Sequence, residues 1–487
     1  MERHPFAVHS ALSKLDGWLN MATTSKIIRP PSSLVTLANP SKWATFNKIT
    51  GAVVLLLTFA LPGCRPSSRE PVTVTFLDVE WDTSTLNPGL AHELQDFTRK
   101  TGIQVNRVPR PDGSLNQLTL WRKLLQKGAA TPDVVSIDVI WSGILDQYLM
   151  DLKPYFGDEL SSQNPVVLAS YTVGDKLVAI PHHAYIGVLY YRPNLLRKYG
   201  YPEPPKTWDE LEKMATRIQA GERAKGQKGF WGYVWQGGVT EDVTCSGLEW
   251  QISEAGGRII EDDRTISVNN PQVIRAWQRA ARWVGSISPP GVTAYGLWDA
   301  QNLWGSGNAA FLRGWQSDYS VITGGWPFSG LPSSASTGNS SQIGLTSVPG
   351  GTAGRASTLG GNGLAISRTS AHPREALELI RFLLRGDAQL TTGNDHSVPT
   401  EEVEFYELPV MLDPYPRLAK IKQHGGGLVA RPSIVSGEKY EQVSRAYIGA
   451  VRSVLTGEKI PSEAAADLEK RLVEITGFSP GPPSKLN

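Results

Sequence analysis

From Val72 onward the chain changes its hydrophobic period at short, regular intervals, and that alternation restricts the fold more than any other feature. Val72–Leu77 (VTVTFL) has the β-branched, alternating character of a strand. Leu90, Leu94 and Phe97 then recur at the spacing of one helical face, which Gly102 ends. Gln104–Val108 reads as a second strand. Leu118, Trp121, Leu124 and Leu125 mark a second helix closed by Gly128, and Pro132 leads into a third strand, Val134–Ile137. Strand–helix–strand at this spacing predicts the α/β class, a mainly parallel sheet covered by helices. Ligands of such sheets sit beyond the carboxyl ends of the strands. The rule sets the loops Asp78–Asp82 and Asp138–Trp141 along one edge.

The rest of the chain follows the same logic less regularly. Trp208–Ile218 is a predicted helix after Pro204-Pro205, with Thr207 as its N-cap and Glu210 three residues on. Pro373–Leu384 opens on proline and stops before Gly386. Val443, Ala446, Tyr447, Ala450, Val451, Val454 and Leu455 form an apolar stripe ended by Gly457; Pro461–Thr476 follows as a last helix carrying Leu468, Leu472 and Ile475. Gly324–Ser341, rich in Gly, Ser and Pro, reads as a surface loop. A chain of 487 residues exceeds one ordinary core, so two domains or lobes are expected.

Composition narrows the function. Formal net charge is +2 with mixed signs and no basic stripe, which leaves nucleic-acid binding without support. No Walker A sequence is present, so any ATPase belongs to another chain. Fifteen Trp exceed what a core of this size needs, and the surplus points to a site for a flat or amphipathic ligand, although any single Trp more often sits in a core.

The amino-terminal region carries its own signals. Ile49–Leu61 (ITGAVVLLLTFAL), preceded by Lys42 and Lys48, is an apolar run with the length of a signal-peptide core, short of the about 20 residues that span a bilayer. It ends in Leu61-Pro62-Gly63-Cys64, which resembles the bacterial lipobox and implies acylation of Cys64; the alternative is an ordinary cleaved signal. Residues 1–63 are thus expected to be an N-terminal extension and lipoprotein signal peptide, and 64–71 a polar, Pro-rich tether. With Cys64 so used, Cys245 has no partner and reads as a small buried hydrophobe in the helix-like stretch Thr244–Trp250.

Several segments together resemble the extracellular solute-binding proteins of carbohydrate ABC importers, and the trehalose/maltose-binding branch in particular. They are Pro132–Trp141 (PDVVSIDVIW), Gly187–Leu211, Gly229–Gly257 with its CSGLEWQISEAGG, Gly307–Trp315 (GNAAFLRGW), Ile343–Ser367 and Ala430–Leu472. They stand in family order and cover nearly all of Val72–Leu472. The resemblance implies a two-lobed binding-protein fold of the class II type with the sugar between the lobes. Lobe 1 would comprise 72–180 with 343–395, and lobe 2 181–342 with 396–487. It further implies a monomeric, lipid-anchored protein of the cell envelope that captures a disaccharide or small oligosaccharide and hands it to the permease of an ABC importer. It implies no catalysis, no cofactor and no metal.

A sugar offers hydroxyls to carboxylates and Arg, and ring C–H faces to aromatic plates. By the resemblance, Asp138 binds sugar hydroxyls, with a helix N-cap as its alternative role. Trp141 closes the pocket or caps the lobe, and Glu80 and Trp81 lie in a loop that touches ligand or solvent. Trp315, in Arg313-Gly314-Trp315, matches a Trp that stacks on sugar. Arg431, in Ala430-Arg431-Pro432, matches an Arg that hydrogen-bonds the disaccharide, the alternative being an interlobe salt bridge. Gly360 and Gly361 match a turn where backbone approaches ligand. The chain departs from the branch at His183 and Tyr185, which stand where a Tyr and an acid or amide are expected. It departs again at Asn362, which replaces an aromatic plate, and at Ser317.

Two competing readings remain. A glycoside hydrolase would need two carboxyls about 5–9.5 Å apart, drawn from Glu80, Asp138 and Glu241. A metal protein would use His182 and His183, but consecutive strand residues are expected to point to opposite faces, and no Cys/His cluster supports them.

Overall fold

The computed structural model describes residues 71–78, 88–108, 114–126, 128, 132–161, 163–318, 322, 343–385 and 427–484. Readings that concern Ile49–Leu61, Cys64, Glu80, Trp81, Gly324–Ser341 and Gly386 lie outside them.

Three strands, β1 (Thr73–Leu77), β2 (Gln104–Val108) and β3 (Val134–Asp138), pair in parallel, with β1 in the middle. The intervening helices α1 (Pro88–Thr101) and α2 (Ser114–Gln126) bury Leu90, Leu94 and Phe97 on one and Leu118, Trp121 and Leu125 on the other. Gly102 and Gly128 stop them at φ +78° and +59°. The opening alternation therefore folds as its periodicity demands. Val134 and Ile137 are wholly buried, whereas Asp138, the last residue of β3, emerges at the strand's carboxyl end.

A short hairpin, β4 (Thr172–Val173) and β5 (Lys176–Leu177), leads into the twelve-residue strand β6 (Ile180–Tyr191). Further along come β7 (Trp231–Val234), β8 (Ala309–Trp315), β9 (Gly344–Ser347), β10 (Ala356–Ile366) and β11 (Gly427–Val429). The main sheet runs β2-β1-β3-β10-β6-β8-β7, with β11 beside β10 and β9 beside β6. Its two long strands each change neighbours partway. β10 pairs with β11 through Ala356–Thr358 and with β3 through Asn362–Ile366. β6 pairs with β10 through Ile180–Ile186, then with β8 and β9 through Gly187–Tyr191.

The helices on the far side are α3 (Trp208–Ala224), α4 (Glu241–Ser253), α5 (Pro271–Trp283), α6 (Leu297–Gly305), α8 (Tyr440–Leu455) and α9 (Pro461–Thr476); α7 (Pro373–Leu383) packs instead against β10 and α1. One core gathers Trp208, Trp235, Trp250, Trp277 and Trp283 with Val443, Tyr447, Val451 and Leu472. The indoles meet edge to face: Trp235 and Trp250 at 5.1 Å, Trp250 and Trp283 at 5.8 Å between centroids. Such contacts add about 0.5–1.5 kcal/mol beyond burial. Among the described residues, five Trp side chains thus serve this core. A smaller cluster packs α6 against β6 and β8 through Trp304, Val188, Tyr190 and Leu312. Cys245 is a buried free thiol in α4, pushed by burial up to about 12. Among the described residues no helix is long and apolar enough to cross a membrane.

Candidate functional site

β10 carries the centre of the site. Asn362 pairs with Asp138 of β3 on one side and His183 of β6 on the other; Gly361 pairs with Ala184 and Gly360 with Tyr185. Residues opposite one another across strands share a sheet face, so Asp138, Asn362 and His183 form one polar row. The Asn362 amide donates to the Tyr185 hydroxyl at 3.1 Å. Gly361 has φ +136°, and a Cβ there would come within 2.2 Å of the His183 carbonyl oxygen, so only glycine fits.

β6 is irregular at this point. Asn362 pairs with His183 but Gly363 with Pro181, so the strand carries an extra residue, His182. The bulge stacks the two imidazoles, with centroids 3.8 Å apart and planes at 25°. This overturns the expectation that consecutive side chains diverge, because the strict period of two fails at a bulge. Among the described residues no group of three or more His, Cys, Asp or Glu converges as metal ligands would.

Asp138 fills the capping role considered for it and stands beside Arg431. Its Oδ1 accepts the N–H of Ile140 at 3.1 Å, capping the 3₁₀ turn Val139–Trp141, and lies 3.9 Å from Nη2 of Arg431. Burial raises the carboxyl above its usual range, against the pull of Arg431. The Arg431 side chain, 4% exposed, links separate elements. Nη1 donates to Oε1 of Glu241 at 3.1 Å, and Nη2 to the Leu359 carbonyl of β10 at 3.3 Å. Glu241, the first residue of α4, also accepts the Tyr440 hydroxyl and, at 2.5 Å, the Ser444 hydroxyl.

Trp315 ends β8 beside Gly360, where an added Cβ would meet its ring at 3.2 Å. Its N–H donates to Asp318 at 2.7 Å, its carbonyl accepts the Tyr190 hydroxyl at 2.6 Å, and the guanidinium of Arg313 lies 4.4 Å from its ring centroid. Arg313 is gripped bidentately by Glu249 of α4, through Nη2–Oε1 at 2.8 Å and Nε–Oε2 at 3.2 Å, both side chains 1% exposed. Oε1 of Glu249 also accepts the N–H of Thr358 in β10 at 3.1 Å. A buried, doubly bonded ion pair thus holds the indole and the crossing strand in one frame.

The structure therefore brings together Asp138, His183, Tyr185, Gly360, Gly361, Asn362 and Arg431, with Trp315 at the end of the group. Trp141 is not among them: it is buried and packs edge-on against Trp121, centroids 6.2 Å apart, in the core beneath β3. Glu241 and Glu249 emerge as contributors that the sequence did not single out as ligand residues. The signal for Glu249 was a lone acid in an otherwise apolar stretch of α4, Leu248-Glu249-Trp250.

This arrangement, two α/β halves spanned by shared strands with a polar row and an indole at the crossing, defines a solute-binding protein. Residues 83–390 match the bacterial extracellular solute-binding protein family, to which the chain belongs. The "Probable ABC transporter-binding protein" of Deinococcus radiodurans is 40% identical over 384 residues, covering 78% of this chain and 89% of that one. The solved structure of maltose-bound MalE3 from T. maritima superposes with a TM-score of 0.71 at 30% identity, over 83% of this chain and 100% of that one. The GacH receptor of Streptomyces glaucescens, solved unliganded and with acarbose, gives 0.70 at 22% identity over 84% and 99%, a likeness of fold. The fold class is thus the two-lobed α/β one that the resemblance implied.

Proposed function

We propose that this protein is the capture subunit of an ABC importer, binding a neutral disaccharide or small oligosaccharide of the trehalose/maltose kind in the cleft around Asp138, Asn362 and Arg431. The observation that carries the reading is the convergence on Arg431 of Asp138 from β3, Glu241 from α4 and the β10 backbone. A guanidinium tied to elements on both sides of the crossing suits vicinal hydroxyls and is sensitive to how far the sides are closed. Trp315 supplies the plate for a sugar face.

The lobes are taken as 72–180 with 343–395 and 181–342 with 396–487, except that β9, paired along the distal half of β6, is counted with the second. Glu80 and Trp81 are kept as ligand contacts, and Trp141 is assigned to support of the Asp138 turn from below. The chain is a monomer anchored outside the cytoplasmic membrane by acyl groups on Cys64. It delivers its sugar unaltered to a permease driven by a separate ATPase chain. The hydrolase alternative is disfavoured because Glu241, already bonded to Arg431, Tyr440 and Ser444, has little freedom to act as an acid or base.

Intrinsic Trp fluorescence against a panel of mono- and disaccharides tests the reading, with the sugar assayed afterwards. A saturable change with the sugar recovered intact is expected, and Trp315→Ala and Arg431→Ala should each weaken binding about tenfold or more, at about 1.4 kcal/mol per decade. Consumption of the sugar would favour the hydrolase; unchanged affinity in both variants would mean the cleft lies elsewhere.

A further inference from the structure

Tyr171 takes no part in the site as built so far. It follows the short helix Pro165–Ala169, its N–H donating to the Leu168 carbonyl at 3.0 Å and its own carbonyl accepting the N–H of Val178 at 2.9 Å. The side chain is wholly buried, and its ring lies against β10 at Gly363, where a Cβ would come within 2.7 Å of Cε1. The phenol interacts electrostatically with Asp138, Tyr185 and Arg431, so its polar end belongs to the same neighbourhood as the site. Burial first, and then the Asp138 carboxylate, push the phenol well above its ordinary value, so it keeps its proton and can both donate and accept.

Among the described residues that hydroxyl has no hydrogen-bond partner. The same holds for Nε of Arg431, although its other two nitrogens are engaged. Folded proteins pair nearly all their buried polar atoms, because an unpaired one has given up water for nothing. Here a hydroxyl and an N–H are both left over, the first on a ring packed against β10 one residue from Asn362 and the second on the guanidinium whose Nη2 lies 3.9 Å from Asp138. A group that both accepts and donates answers them, and a sugar hydroxyl is such a group; an apolar ligand would leave both unpaired.

We propose that Tyr171 is a ligand-contacting residue whose hydroxyl bonds to a hydroxyl of the bound sugar beside Asp138. The proposal rests on the sugar-binding reading of the cleft and adds a selectivity to it: sugars lacking the hydroxyl at that position are rejected, because a site built around that bond leaves its own groups unpaired.

The test is calorimetric titration of the wild type and Tyr171→Phe with maltose, trehalose, tagatose, ribitol and acarbose, the tightest binder being used for the comparison. Tyr171→Phe should bind that sugar about tenfold or more weakly. Its ligand-free melting temperature should be unchanged or higher by about 1 °C, since only an unpaired hydroxyl is removed. Equal affinity in the variant, or a ligand-free loss of about 3 °C or more showing that the hydroxyl is already bonded within the fold, would overturn the proposal and leave the sugar reading standing. If none of the five binds the wild type, the sugar reading falls and this assignment falls with it.

Discussion

Asp318 lies under the backbone of Trp315, and its carboxyl is pushed by burial up to about 7 although the Trp315 N–H, Gln301 and Arg313 pull it down. An acid whose folded value is raised binds its proton more tightly folded than unfolded. Its effect on stability is therefore neutral below the ordinary value of 3.8 and becomes increasingly adverse as pH climbs to about 7. The span corresponds to about 4 kcal/mol. Asp318→Asn keeps an oxygen for the Trp315 N–H and should remove that slope. In urea melts at pH 5 and pH 8, the variant should gain on the wild type at the higher pH; parallel curves would show that Asp318 ionises freely. Such couplings mark the limit of the sequence at this scale. Asp138, Trp315 and Arg431 were legible because they sit in motifs. Glu241 stood out only as a candidate hydrolase carboxyl, because the Arg that it pairs with lies 190 residues away and an acid at the first turn of a helix already has an ordinary explanation. For Trp141 two roles stayed open for the converse reason: a motif position does not say which way an indole turns.

Elements were legible where one face is buried and ends are punctuated. α9 has the predicted bounds, Pro461–Thr476, and α3 starts as predicted with Thr207 accepting the Glu210 N–H at 3.2 Å. α3 runs on through Gly221 to Ala224 and stops just before Gly226, which has φ +97°. After Trp141 the chain makes only one α-helical turn, Ser142–Leu145, followed by a 3₁₀ turn, Asp146–Tyr148. β6 and β10 gave little signal. Every residue of β10 is buried, so the alternation of a half-exposed strand is absent, and Gly360 and Gly361 read as a turn. Those glycines nonetheless shape the crossing. Gly361→Ala would place a methyl against the His183 carbonyl at a backbone angle that L-residues avoid. The cost should be about 2–3 kcal/mol in a denaturant melt. Gly449→Ala in α8, where a Cβ meets nothing within 4 Å, should instead add about 0.5–1 kcal/mol. Equal effects of the two would deny β10 its strained turn.

For the whole molecule, length and the order of six motif segments sufficed to indicate two halves, but not how they are joined. The join lies in β6 and β10, which run side by side and each exchange partners midway. Polar contacts already bridge the sides near the site, Arg431 to the Leu359 carbonyl and Ser433 to the Val139 carbonyl among them, but one pair falls short. Asp138 and Arg431 stand 3.9 Å apart, too far for a strong hydrogen bond. A ligand that inserts its hydroxyls between them supplies what the closed form lacks, and it shifts the equilibrium only by that differential affinity. Small-angle scattering should therefore give a smaller radius of gyration with saturating sugar than without, and Arg431→Ala should reduce the contraction at matched occupancy. Fluorescence changing at constant radius would mean that the sugar rearranges side chains in a rigid groove, leaving the permease no closed shape to recognise.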